Sequence, residues 1–373
     1  MNILIIGAGN IGTAMAAMIS QNKEHRVTML TSKPELWLPT LRFSSGTAGA
    51  WKESGRIQAT GDWEEAFADA EMIFVTVPSF LKRKYVEKMH PYIKKGSILI
   101  FVPGCGGIEF FCNTLISQGV IVGGADRVPC VSRIQEYGKS VRLDWKQGIR
   151  YGCLQAGYTD QICGMLSEIL SMKCSPVKNY LAVTLTPSNQ VLHTSRLYAL
   201  FGKIEKDQYF PGNILFYGEW DDTSSDYLLK CDEELQKICR ALDQMDLSEV
   251  ISLKIHYESD TIEKMTKKIS SIVSLKNIES PMIQSENGSY QVDWDSRYFT
   301  EDFPFGLCIL KGIGEICGVD TPFMDEMLQW YSTVAGKEYL IDGSWEGRDL
   351  QETHTPHRFG ITTLEQFYDL YKQ

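Results

Sequence analysis

Short apolar runs alternate with longer amphipathic stretches through the first half of the chain. Ile3 to Ile6 is a continuous apolar run, the mark of a strand buried on both faces. Thr13 to Ile19 follows at helical spacing, and Arg26 to Leu30 predicts a second strand. Met72–Val77, Ser97–Val102 and Val120–Gly123 predict three more, the first ending at Pro78 and the second at Pro103-Gly104. Residues 148–154 and 180–185 are expected to add further strands to the same sheet. Strand–helix alternation of this kind builds a doubly wound, mostly parallel α/β sheet. Beyond Thr186-Pro187 the pattern turns helical: Asn189–Phe201, Ser225–Leu242, Thr261–Leu275, 304–317, 322–334 and Thr363–Tyr371. Thr362 and Glu365 have the spacing of a capping box for the last of these. The expectation is a Rossmann domain over 1–180 and an all-α domain over 181–373.

The first strand and helix are joined by Gly7-Ala8-Gly9-Asn10-Ile11-Gly12. In this context the first glycine permits a tight turn, the second lets the backbone approach a pyrophosphate, and the third lets helix and strand pack closely. The helix N-terminus then offers free N–H groups and the positive end of its dipole to the phosphates. Gly7, Ala8, Gly9, Asn10, Ile11 and Gly12 are therefore candidate cofactor-binding residues. Val77 and Pro78 join them, because open α/β sheets bind ligands at the carboxyl ends of their strands. A carboxylate at the end of the second strand would bond a ribose 2′-hydroxyl. Thr31-Ser32-Lys33 stands there instead, and two hydroxyls with a lysine suit a 2′-phosphate. NADP(H) is favoured over NAD(H).

Composition narrows the field. A chain of 373 residues suits two domains, and its net charge of −10 disfavours nucleic acid and anionic membrane as partners. No apolar stretch approaches the ~20 residues of a membrane span, and Asn2–Ile6 is too short for a secretory leader. A cytoplasmic protein is expected. Ten cysteines without a CxxC pair read as free thiols, and the six histidines are not spaced as zinc ligands. No metal site is expected.

Among the histidines, His193 stands apart, on the first helix after the cofactor domain and behind Thr186-Pro187-Ser188-Asn189-Gln190. A second polar element runs from Arg297 to Leu307 and carries Glu301 and Asp302. Locally, Asp302 also fits a helix N-cap, with Pro304 in the first turn.

Taken together, the chain resembles the octopine/nopaline (opine) dehydrogenase family. The resemblance spans nearly the whole chain. It rests on the glycine motif, Pro129–Arg133, Asn189-Gln190-Val191-Leu192-His193, Arg297–Leu307, Gly318–Pro322 and Pro356–Thr362. It implies a Rossmann domain paired with a helical domain of the 6-phosphogluconate dehydrogenase type, with substrate between them. The implied activity is NAD(P)H-dependent condensation of an amino acid with a 2-keto acid, followed by imine reduction. By the same resemblance His193 and Asp302 form the catalytic pair, while Arg297, Asn189 and Arg133 bind substrate. Thr194 replaces a proline common in the family, and Pro129-Cys130-Val131-Ser132 replaces a more aromatic stretch; both departures bear on which substrate is used. The remaining readings are a 2-keto acid reductase of the ketopantoate-reductase or glycerol-3-phosphate-dehydrogenase kind and a non-catalytic NADP-binding sensor. A homodimer is compatible with all of them.

Overall fold

The computed structural model describes every residue except Thr47, Ala48, Ser188 and Gln373. Ser188, in the polar stretch ahead of the His193 helix, thus lies outside the described residues. The chain forms two compact units, Met1–Thr184 and Leu185–Tyr368, with the segment from Asp369 joining the first. The division falls a few residues past 180, and the second unit ends before the chain does.

The strands of the first unit are β1 (Asn2–Ile6), β2 (Arg26–Leu30), β3 (Arg42–Ser45), β4 (Lys52–Glu53), β5 (Ile57–Thr60), β6 (Met72–Val75), β7 (Ile98–Phe101), β8 (Ile121–Ala125), β9 (Cys130–Glu136), β10 (Ser140–Trp145), β11 (Gly148–Cys153) and β12 (Lys173–Pro176). Eight of them form one sheet in the order β12-β11-β8-β7-β6-β1-β2-β5. Every pairing in it is parallel except β8 with β11. The order reverses at β1, with β2 on one side and β6 on the other, so the switch point lies at their carboxyl ends. Ile3–Ile6 and Met72–Val75 are each at most 1% exposed. Burial on both faces explains why these strands are continuous apolar runs.

Residues 180–185 are a correction. Leu181–Leu185 is a short helix, and the last strand of the sheet is β12. Leu181, Ala182 and Val183 are fully buried, and a short buried helix has no polar face to distinguish it from a strand.

A second sheet, β4-β3-β10-β9, lies outside the sequence expectation. Phe43, Val141 and Leu143 from its inner face join the core that also contains Met15 and Ala17 of α1 (Asn10–Ile19).

The second unit is built on α2 (Asn189–Phe201), α3 (Asp222–Ala241), α4 (Ile262–Ser270), α5 (Cys308–Ile316) and α6 (Pro322–Ala335). One hairpin interrupts the expected all-α pattern: β13 (Met282–Gln284) pairs antiparallel with β14 (Tyr290–Val292) around Asn287-Gly288. Asn-Gly is a strong hairpin signal, and here only three residues on each side follow it. The capping box near the last helix sits one residue later than expected. Thr363 Oγ1 accepts from the Gln366 N–H, and Gln366 Oε1 accepts from the Thr362 and Thr363 N–H groups. No helix among the described residues is long and apolar enough to cross a membrane.

Candidate active site

The first unit carries the dinucleotide cradle. Gly7 follows β1 at φ 108°, a conformation that side chains resist. A Cβ on Gly12 would lie 1.9 Å from the Gly7 carbonyl oxygen, so only glycine lets α1 begin this close to the turn. Thr76, directly after β6, clasps the turn by donating to the Gly7 oxygen at 2.8 Å. A Cβ on Gly9 would meet no atom within 4 Å, which leaves the approach a phosphate needs. The first turn of α1 contains no acidic residue to oppose an anion. Val77 packs beside Gly7, and Pro78 caps the helix Ser79–Met89. Ala8 and Ile11 rest partly buried against the core. These residues fit a dinucleotide.

Asn10 has a structural partner as well: its Oδ1 accepts from the Ile134 N–H of β9 at 2.8 Å. That bond fastens the second sheet to the start of α1. Arg133, the preceding residue, is exposed and donates to the Ser132 carbonyl, and so lies beside the cofactor cradle. Of the three residues ending β2, Thr31 is buried and its hydroxyl pairs with Tyr137 OH at 2.7 Å. Ser32 and Lys33 are exposed. Tyr137, from the β9–β10 connection, carried no sequence signal because its partner is 106 positions away.

In the second unit, α2 and the turn at 303–307 bring the predicted pair together. A Cβ on Gly306 would stand 2.6 Å from the Gln190 Cβ, so the turn packs directly on the first turn of α2. Asp302 precedes that contact by one turn, and His193 follows it by three residues. His193 Nδ1 and Asp302 Oδ2 are 2.8 Å apart. Asp302 occupies the N-cap position of that turn, but its side chain makes no capping hydrogen bond and turns to His193 instead. Residues 303–307 form a π-helical turn with Pro304 inside it.

The pair is nearly enclosed, with side chains 10% and 15% exposed. Burial pushes the Asp302 carboxyl above its ordinary range, and the His193 charge and hydrogen bond pull it back only in part. Tyr298 stacks on the imidazole at 4.5 Å, and Phe216 meets it edge-on at 5.4 Å. Tyr217 OH lies 3.0 Å from Nε2. With Nδ1–H donated to the carboxylate, Nε2 is left as the basic nitrogen, so the dyad can take up and return a proton there. Tyr217 and Tyr298 were not legible as site residues, because aromatic positions in a helical domain ordinarily read as core.

Arg297 opens the short helix Arg297–Thr300 and is held by Glu301. Its Nε and Nη2 both donate to Glu301 Oε2, at 3.0 and 2.5 Å. The ion pair fixes one edge of the guanidinium while the side chain stays 64% exposed. Asn189, one turn before His193 on α2, is exposed. The ten cysteines are free thiols, and no group of three or more metal-ligating side chains converges among the described residues.

Both units resemble known proteins. The family described as NAD/NADP octopine/nopaline dehydrogenase, alpha-helical domain, matches residues 176–335. The N-terminal family of NAD-dependent glycerol-3-phosphate dehydrogenase matches residues 2–121, the cofactor half. Tauropine dehydrogenase of Arabella iricolor is 27% identical over 97% of this chain and 98% of its own length. Octopine dehydrogenase of Pecten maximus is 25% identical over 97% of each. A solved structure of octopine dehydrogenase with NADH and pyruvate superposes at a TM-score of 0.87, with 25% identity over 100% of this chain and 99% of that one. With a glycine cradle in one unit and a His–Asp pair in the other, the chain is similar over its full length to the octopine/nopaline (opine) dehydrogenases, NAD(P)-dependent oxidoreductases whose helical-domain family its second half matches.

Proposed function

We propose that this enzyme condenses an amino acid with a 2-keto acid and reduces the resulting imine, with NADPH preferred as hydride donor. The observation that carries the reading is the 2.8 Å His193–Asp302 pair in the helical unit of a chain with a dinucleotide cradle. An amino acid arrives as an ammonium ion and must lose a proton before its nitrogen can attack the keto carbon. The adduct then needs a proton on its hydroxyl to expel water and leave the iminium. His193 serves both needs by taking the first proton and returning it as the second. Asp302 fixes the ring tautomer and stabilises the imidazolium formed in between. The bound cofactor supplies hydride to the iminium carbon, giving the secondary amine. Arg297, aimed by Glu301, binds a substrate carboxylate through its remaining N–H groups. Asn189 and Arg133 are further substrate-binding residues in this reading.

Ser32 and Lys33 support the NADPH preference, since both are exposed at the end of β2 and Thr31-Ser32-Lys33 contains no carboxylate. The glycerol-3-phosphate dehydrogenase likeness is confined to the cofactor half and does not extend to the His193 helix. A matrix of amino acids against 2-keto acids, followed by NADPH and NADH oxidation, tests the proposal. Oxidation that requires both substrates is the expected result. Oxidation with keto acid alone would mark a simple keto acid reductase. A strong NADH preference would overturn the assignment of Ser32 and Lys33.

A further inference from the structure

The reaction above leaves one contact of the His193 ring without a role, the Tyr217 hydroxyl at Nε2. With Asp302 on Nδ1, both ring nitrogens are engaged, and a substrate reaching Nε2 directly would have to displace a phenol. That phenol is held firmly. Tyr217 is 7% exposed and lies in the segment before α3 that Arg196 fastens. Arg196 is fully buried on α2, three residues beyond His193 and on the same side of the helix. Its Nε donates to the Phe216 carbonyl at 2.9 Å, Nη2 to the Glu219 carbonyl at 2.7 Å and Nη1 to Ser224 Oγ at 2.6 Å. The guanidinium also lies over Trp220, whose ring stacks on Tyr217 at an interplanar angle of 12°. A buried arginine with three such anchors fixes the backbone on both sides of Tyr217.

We propose that Tyr217 is a catalytic relay residue, the group through which His193 exchanges its proton with the substrate nitrogen and oxygen. This rests on the amine-condensing reading above. In the first step the substrate ammonium gives a proton to the Tyr217 oxygen while the Tyr217 proton moves to Nε2. The amine becomes neutral, His193 becomes imidazolium, and the phenol is unchanged. In the second step Nε2–H returns its proton to the Tyr217 oxygen as the phenol protonates the departing hydroxyl, which leaves as water. Burial pushes the Tyr217 hydroxyl well above the usual phenol range, so it keeps its proton between steps.

The test is Tyr217→Phe in the full-length enzyme, which retains the ring packed against Phe216 and Trp220. Turnover should fall on the order of 10- to 100-fold, with NADPH binding unchanged. In mixtures of H2O and D2O, the wild-type rate should bow with deuterium content, since two protons move together, and the variant's residual rate should vary linearly. A variant within about twofold of wild type in turnover, or one that slows yet keeps the wild-type deuterium dependence, overturns the relay and leaves the proposed function standing. A linear wild-type dependence also overturns it. A wild-type enzyme inactive with every substrate pair overturns the proposed function and the relay with it.

Discussion

Asp302 faces a conflict that its neighbours only partly resolve. Leaving water disfavours its charge, while His193 favours it, and burial is the larger effect. In the proposed reaction its charge is useful chiefly at the moment the imidazole becomes a cation. Asp302→Asn keeps the size of the side chain and removes that charge. We expect turnover to fall on the order of 100-fold or more, with unchanged cofactor affinity by fluorescence titration. Near-normal turnover would remove Asp302 from the mechanism. Both members of the pair were legible in the sequence through motifs that surround them. Arg196 and Tyr217 were not: a charged residue on a helix ordinarily faces solvent, Tyr217 falls between the expected helices, and only the folded chain shows what their polar atoms reach.

The turn at 303–307 and helix α2 meet at a glycine, and the 2.8 Å dyad depends on that approach. Gly306→Val would place its Cβ 2.6 Å from the Gln190 Cβ, at the root of a side chain with no room to swing away. The turn must move outward and carry Asp302 with it. We expect turnover to drop at least 10-fold and stability by about 1–3 kcal/mol, with the glycine cradle of the other unit still binding NADPH. Loss of NADPH binding in that variant would show that the damage is general unfolding. Legibility at this scale follows contact distance. β1, the glycine turn, α1 and β2 are local and were read correctly. β3 and β10 pair with each other across about a hundred residues, and each is too short and polar to announce itself. Leu181–Leu185 was misread because full burial erases the periodicity that separates helix from strand.

At the scale of the molecule, the chain leaves its first unit after Thr184 and returns to it from Asp369. The returning segment brings Tyr371 OH to Glu109 Oε1 at 3.1 Å, where Thr184 Oγ1 also donates at 2.5 Å. Glu109 is 1% exposed, and burial raises its carboxyl above the ordinary range. An acid with a raised folded-state pKa gives most stability below its unfolded value and loses it as pH climbs through the folded one. Tyr371 opposes that loss by donating to the ionised form. Tyr371→Phe should therefore cost about 1 kcal/mol in urea unfolding, and the deficit should widen as pH rises. A deficit that shrinks with rising pH would contradict this role. The sequence pattern showed a final helix but gave no sign that the residues after it belong to the other unit.

That return also has a consequence in time. A ribosome delivers Tyr371 262 residues after Glu109. At roughly 5–20 residues per second, the interval is roughly 15–50 s. Thr184 arrives 75 residues after Glu109, and from then until Tyr371 appears the carboxyl has one of these two hydroxyl partners. Its final closure therefore waits until the entire helical unit has been synthesised.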